Sequence, residues 1–522
     1  MITRRGLLKT AMGTMAMFVA GKSGPLRPGT SSAAATSSAT PKRGGQLMVS
    51  YETDPVTFNG VKATNYATVQ VNEQIYESLT TFDSKMKIVP ALAERWEHPD
   101  PLTYVFHLRQ GVKFHNGKLF AAEDVEYTFN RLLAKDTASP NRNWYDYIDK
   151  VEVVNPATVR MRLSKPFAGT LANIASLRGS GILPVGAAEK INLDVEAVGT
   201  GPFKLVSYTP RDNIRYARNP DYWDKAIPYV NEMPWKIMVA EDARIAALRS
   251  GALDYGQLSP EGRERLKDQP RVHVQTTPRA WLVIHELNCA RKPYSDVRVR
   301  QAISLAVDRK AMIEKAASGA GVLSGPIATG NGDWYIPPAE LPYKQDVARA
   351  KQLLAEAGYP NGFKTTIKIL SGYPEFVAAS VVLADQLRQL NIETQLIQLE
   401  PGEFVRQYRR PVESQDFDLY STARTNYPDP DVYLYQFYVP GAALNRGYDN
   451  PTVTRLIERG RETEEHAARR AIYFEVQRIL LDESPQLFWW VGLNLEGLQQ
   501  YVKGYEASFL GTRYFRNAWL DK

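Results

Sequence analysis

The segment 296–399 constrains the fold more than any other part of the sequence. Asp296 precedes Val299, Ala302, Ile303 and Ala306, which is the i, i+3, i+4, i+7 spacing of a helix with an oxygen-bearing cap. Asp346 stands in the same relation to Ala350, Leu353, Leu354 and Ala357. Gly358 is placed to stop that second helix, and Pro360 prevents its return. Residues 366–370 (TIKIL) predict a strand, 375–390 a helix, and 392–399 (IETQLIQL) a second strand. Strand, helix and strand in this order predict parallel neighbours joined by a right-handed crossover. The chain is therefore read as α/β.

With 522 residues there is room for two to four domains, or for one discontinuous pair of lobes. Hydrophobic residues make up 44% and charged residues 23%, an ordinary globular balance. The formal charge of +7 invites a nucleic-acid reading, but its position removes it. Arg4, Arg5, Lys9, Lys22, Arg27, Lys42 and Arg43 carry the whole excess, and no acid lies among residues 1–43. From Gly44 onward the chain has no net charge, so neither nucleic acid nor an acidic membrane is expected as a partner.

Residues 3–9 (TRRGLLK) pair two arginines ahead of leucines, as twin-arginine export signals do. The apolar run 11–20 is too short to span a bilayer, which needs ~20 apolar residues. Small residues at 31–39 then offer cleavage sites. Residues 1–43 are read as a signal peptide and linker. The lone Cys289 cannot form an internal disulfide and is expected as a buried thiol.

Enzymatic signatures are sparse. The histidines lack helical i, i+4 metal spacing; only His107 and His115, flanking a turn, could meet at a metal. Gly199-Thr-Gly201 runs into Pro202 and is no dinucleotide loop, and Gly179-Ser-Gly181 lacks the spacing of a nucleophile elbow. Glu464 and Glu465 fall in a highly charged segment and read as a solvated face. No catalytic residue, metal or cofactor is expected.

An ordered set of segments resembles the extracellular solute-binding proteins of the peptide, opine and nickel ABC importers (family 5). These are GGQLMV (44–49), PALAERW (90–96), FHLRQGVKFHNGK (106–118), AEDVEYTF (122–129), VGTGPFKL (198–205), NPDYW (219–223), ALRSGALD (247–254), PYSDVRVRQAISLAVDR (293–309) and AKQLLAEAGYP (350–360). The resemblance spans the chain after residue 43. It implies a two-lobed periplasmic-binding-protein type II-like fold with an extra inserted subdomain. Lobe I would take 44–78, 196–282 and 480–522, the inserted subdomain 79–195 and lobe II 283–479, with crossovers near 282 and 480. It also implies a periplasmic or extracytoplasmic monomer. That monomer captures a small-molecule or short-peptide ligand and delivers it to ABC transporter permease subunits.

In the family, the loop after a lobe II strand enters the cleft, and here that loop is 424–433 (RTNYPDPDVY). Peptide-binding members carry an aspartate before the segment matching 427–430, where it holds the ligand's ammonium; this chain has Asn426. An asparagine supplies no counter-charge, and Arg424 suits an anion. Arg424, Asn426 and Tyr427 are therefore ligand candidates, unless Asn426 only caps the turn and Arg424 pairs with Asp429 or Asp431. Asn65 and Tyr66, Trp144 and Tyr145, Trp281 and Trp490 stand where the family lines its cleft, each with core packing as the alternative. Two other functions compete with importer binding. A chemoreceptor partner on the same fold would be told apart by the absence of a neighbouring permease gene, and an exported hydrolase by turnover of its ligand.

Overall fold

Two long strands, Val272–Leu287 and Gln486–Gln499, organise the molecule. They belong to a computed structural model that describes residues 40–522, apart from residues 426 and 427 and the side chain of Tyr66. The expected signal peptide (1–39 of it), Asn426 and Tyr427 thus lie outside the described residues. The two strands run antiparallel, Val272 facing Gln499 down to Pro278 facing Leu493, and again Leu282 facing Val491 down to Glu286 facing Gln486. Between the two runs Arg279, Ala280 and Trp281 oppose Gly492 alone, which is a bulge that bends the pair.

The pair joins two sub-sheets. On one side lie Tyr255–Leu258, Val49–Tyr51, Glu232–Ile237, Asn213–Arg218 and Phe203–Thr209; on the other lie Leu419–Thr425, Lys364–Leu370 and Glu393–Leu399. The chain therefore crosses twice at the bulge. The first crossing falls beside Leu282; the second, expected near 480, runs through Gln486–Gln499 around Gly492. Nearly every residue of Gln486–Gln499 is buried, which explains its continuous apolar run: both faces of the strand are covered.

The segment read first from the sequence folds as read. Lys364–Leu370 and Glu393–Leu399 are parallel neighbours, with Lys364 facing Glu393 through Leu370 facing Leu399. The helix Pro374–Leu387 connects them. Asp296 accepts from the amide of Arg298 and Asp346 from that of Arg349, and Val299, Ala302, Ile303, Ala350, Leu353 and Leu354 are buried. Gly358 takes φ +89°, a backbone that favours glycine, as the stop requires.

Residues 93–163 carry a four-stranded antiparallel sheet in the order Ala93–Asp100, Thr103–Leu108, Thr158–Leu163, Ile148–Asn155. The helix Ala122–Leu133 buries Val125, Phe129 and Leu132. Residues flanking this sheet in sequence touch the second half of the chain directly. The amide of Ala168 donates to the carbonyl of Arg461 at 2.8 Å, and Phe82, Met86 and Ala172 share a core with Tyr433 and Phe437. Cys289 is buried, and burial pushes its thiol up to about 11. No helix of the described residues is long and apolar enough to cross a membrane.

Candidate functional site

The strand Leu419–Thr425 delivers the chain to the proline-rich loop. The helix Pro430–Tyr438 picks it up, with Asp429 as N-cap and Pro430 in the first turn, where a missing amide costs nothing. Two buried ion pairs fix this end of the loop. Asp429 binds both terminal nitrogens of Arg469 at 2.7 Å, and Asp431 lies 3.3 Å from Arg461. Burial pushes the Asp431 carboxyl up to about 7, against the downward pull of Arg461.

With those aspartates engaged, Arg424 pairs elsewhere. It faces Leu282 across the sheet, and its guanidinium meets the carboxylate of Glu286. Arg446 reaches the same carboxylate through Nε at 3.0 Å, and Tyr408 donates its phenol to it at 2.8 Å. The guanidinium of Arg424 lies 3.8 Å from the Phe437 ring centre, and that of Arg446 lies 3.8 Å from that of Tyr408. All three charged side chains are buried. This corrects the sequence alternative of a pairing with Asp429 or Asp431. Glu286 and Arg446 were not singled out from the sequence, because they are distant in the chain and only strand pairing brings them together.

A small cavity opens beside Arg424, between Ala280, Leu282, Ile327, Asn331, Thr425 and Phe509. It sits where the bulged crossing strand, the strand Leu419–Thr425 and the C-terminal segment meet. Trp281 does not line it; it faces Thr425 across the sheet and is partly exposed. Its ring stacks on Phe376 at 5.9 Å, with Tyr373 at 5.5 Å. Trp281 thus stands on the sheet face opposite the one that Leu282 and Arg424 share.

The other candidates are placed differently. Trp490 is 2% exposed and faces Val283; a Cβ on Gly321 would lie 2.6 Å from its Cδ1, so it fills the core against that glycine. Tyr145 is also a core residue, its hydroxyl donating to the carbonyls of Asn173 at 2.8 Å and Arg178 at 3.1 Å. Both placements match the core-packing alternative: tight packing holds the tryptophan, and hydrogen bonds hold the tyrosine. Trp144 stays half-buried under the guanidinium of Arg178, 4.2 Å from the ring centre. Asn65 is exposed and caps the helix Tyr66–Asn72, its side chain accepting from Thr68 N at 2.8 Å.

His107 and His115 do not converge: the first meets Glu97 at 2.8 Å and the second the carbonyl of Gly201 at 3.0 Å. His285 sits buried between Ser380 and Trp489, and burial pushes it down to about 3, so it stays neutral.

Two α/β sub-sheets joined by a bulged pair of long strands, with a cavity beside that pair, define the two-lobed fold of a binding protein. The chain belongs to the bacterial extracellular solute-binding proteins, family 5, whose middle-region model matches residues 87–445. It is similar to the glutathione-binding protein GsiB of Pectobacterium atrosepticum, with 27% identity over 431 residues, covering 80% of this chain and 83% of that protein. Among solved structures it resembles the periplasmic binding protein DppA from Helicobacter pylori in complex with the peptide STSA. That match has 25% identity and a TM-score of 0.75, covering 92% of this chain and 99% of the other. HbpA2 from Haemophilus parasuis shares the fold, with a TM-score of 0.82, 24% identity and coverage of 92% and 100%.

Proposed function

We propose that this chain is the extracytoplasmic substrate-binding component of an ABC importer. It captures a peptide-like or other polar small solute between its lobes and hands it unchanged to membrane permease subunits. One observation carries the reading: the cavity at the bulged crossing is lined by Ala280 and Leu282 of the crossing strand and by Arg424 and Thr425 of the strand that leads into the proline-rich loop. A ligand there favours whichever lobe arrangement it binds better, and no covalent step is needed. Glutathione and a short peptide, the ligands of the similar proteins, suggest the class of solute. Arg424 is the proposed wall residue, with Asn426 and Tyr427 supplied by the loop that follows it; Trp281 on the other face of the sheet, Asn65 and Tyr66 in the expected lobe I and Trp144 in the expected inserted subdomain remain candidates.

The protein works as a monomer, without nucleic acid and without enzymatic turnover, and it leaves the cytoplasm through the twin-arginine leader at residues 3–9. Calorimetry with glutathione and with Ser-Thr-Ser-Ala tests the capture. Saturable binding with the solute recovered intact supports it; hydrolysis of either solute would show an enzyme instead.

A further inference from the structure

The cluster beneath the ligand loop carries more positive than negative charge. Arg424 and Arg446 share the single carboxylate of Glu286. Asp429 is engaged by Arg469 and Asp431 by Arg461, so neither aspartate balances the pair. Tyr408 uses further acceptor capacity of Glu286. Nη2 of Arg446 has no hydrogen-bond partner among the described residues, although the side chain is only 4% exposed. A guanidinium cannot shed its proton, so two of them on one carboxylate retain a unit of positive charge in a poorly solvated place. The faces of Phe437 and Tyr408 relieve part of this, but an aromatic face is a weaker partner than a counter-ion. None of the described residues lining the adjoining cavity is acidic, and Leu282, Pro326, Ile327 and Phe509 make its walls largely apolar.

We propose that the ligand supplies the missing acid. The cavity takes a short aliphatic arm ending in a carboxylate, with Arg424 as the specificity-determining residue and Arg446 behind it as a positioning residue. The inference rests on the solute-binding reading and narrows it to acidic solutes.

Calorimetry with two matched probe pairs tests it: glutathione against its diethyl ester, and Ala-Glu-Ala against Ala-Gln-Ala. The acid member is expected to bind about tenfold more tightly or better, the worth of one charge-assisted hydrogen bond. Glu286→Gln removes the shared charge yet keeps an acceptor for Tyr408, so the acid-to-neutral affinity ratio should widen. Arg446→Gln should narrow it. A merely structural defect weakens both members of a pair alike, so the ratio separates the two roles. Equal affinities within both pairs would overturn the inference and leave solute capture standing. If neither pair binds, the solute that co-purifies with the exported protein decides, released by denaturation and identified by mass spectrometry. An acidic solute upholds the inference, a solute without an acid overturns it, and a protein that carries and binds no solute contradicts the proposed function as well.

Discussion

Asp429 accepts from both terminal guanidinium nitrogens of Arg469 at 2.7 Å, and both side chains are buried. The pair ties the start of the helix Pro430–Tyr438 to the helix His466–Glu483, remote in sequence. Removing one partner of a buried pair leaves the other charge stranded, which costs about 3–5 kcal/mol. Asp429→Asn should lower stability by about that amount in urea unfolding and weaken ligand binding in the fraction that stays folded. An unchanged unfolding midpoint would mean that the pair is not formed.

Asp431 predicts a pH dependence. Its carboxyl titrates at about 7 in the folded protein because burial disfavours the charge, against about 3.9 in an unfolded chain. The native state therefore holds this proton more tightly. Its contribution is fully present below the unfolded value and is lost as pH rises through about 7. Between about pH 5.5 and about pH 8 the loss is about 2 kcal/mol. Asp431→Asn should flatten the stability profile by that amount over this window. A profile that keeps its slope in the variant would place the titration on other groups, such as Glu73 and Glu496, which burial also pushes up.

Two tryptophans near the crossing separate surface from core. Trp490→Ala opens a cavity against Gly321 and should cost about 3–5 kcal/mol of stability. Trp281 is partly exposed on its aromatic shelf, so Trp281→Ala should cost less stability and more ligand affinity. Thermal unfolding and calorimetry on both variants check the contrast; the reverse ranking would put Trp281 in the core and free Trp490 for the ligand.

Export through the twin-arginine route requires Arg4 and Arg5. Replacing both with lysine should leave precursor in the cytoplasm, as read by fractionation and immunoblotting. Normal export of that variant would refute the route.

The segment 296–399 was legible because its physics is local. Caps at Asp296 and Asp346 and helical spacing of apolar residues decide its structure before any distant contact forms. The charge cluster was not legible. Glu286 lies on one strand and Arg424 on its antiparallel neighbour, and Arg446 comes from a later loop, so their meeting depends on strand register. Trp490 illustrates the same limit. Its position near the second crossing suggested the cleft, yet which face of a doubly covered strand meets solvent is set by the neighbour that packs there, and Gly321 leaves room for the ring. The aspartates of the loop looked free to pair with Arg424, but Arg461 and Arg469, on helices that follow, claim them.

The central claim is reversible capture of one small solute without conversion, and native mass spectrometry of the exported protein tests it most directly. Reversible capture gives an added mass on the folded protein, its loss on denaturing dialysis, and its return, unchanged in mass, when the refolded protein meets the released fraction. Refolded protein that gains no mass from that fraction, or a solute released at a different mass from the one bound, would contradict it.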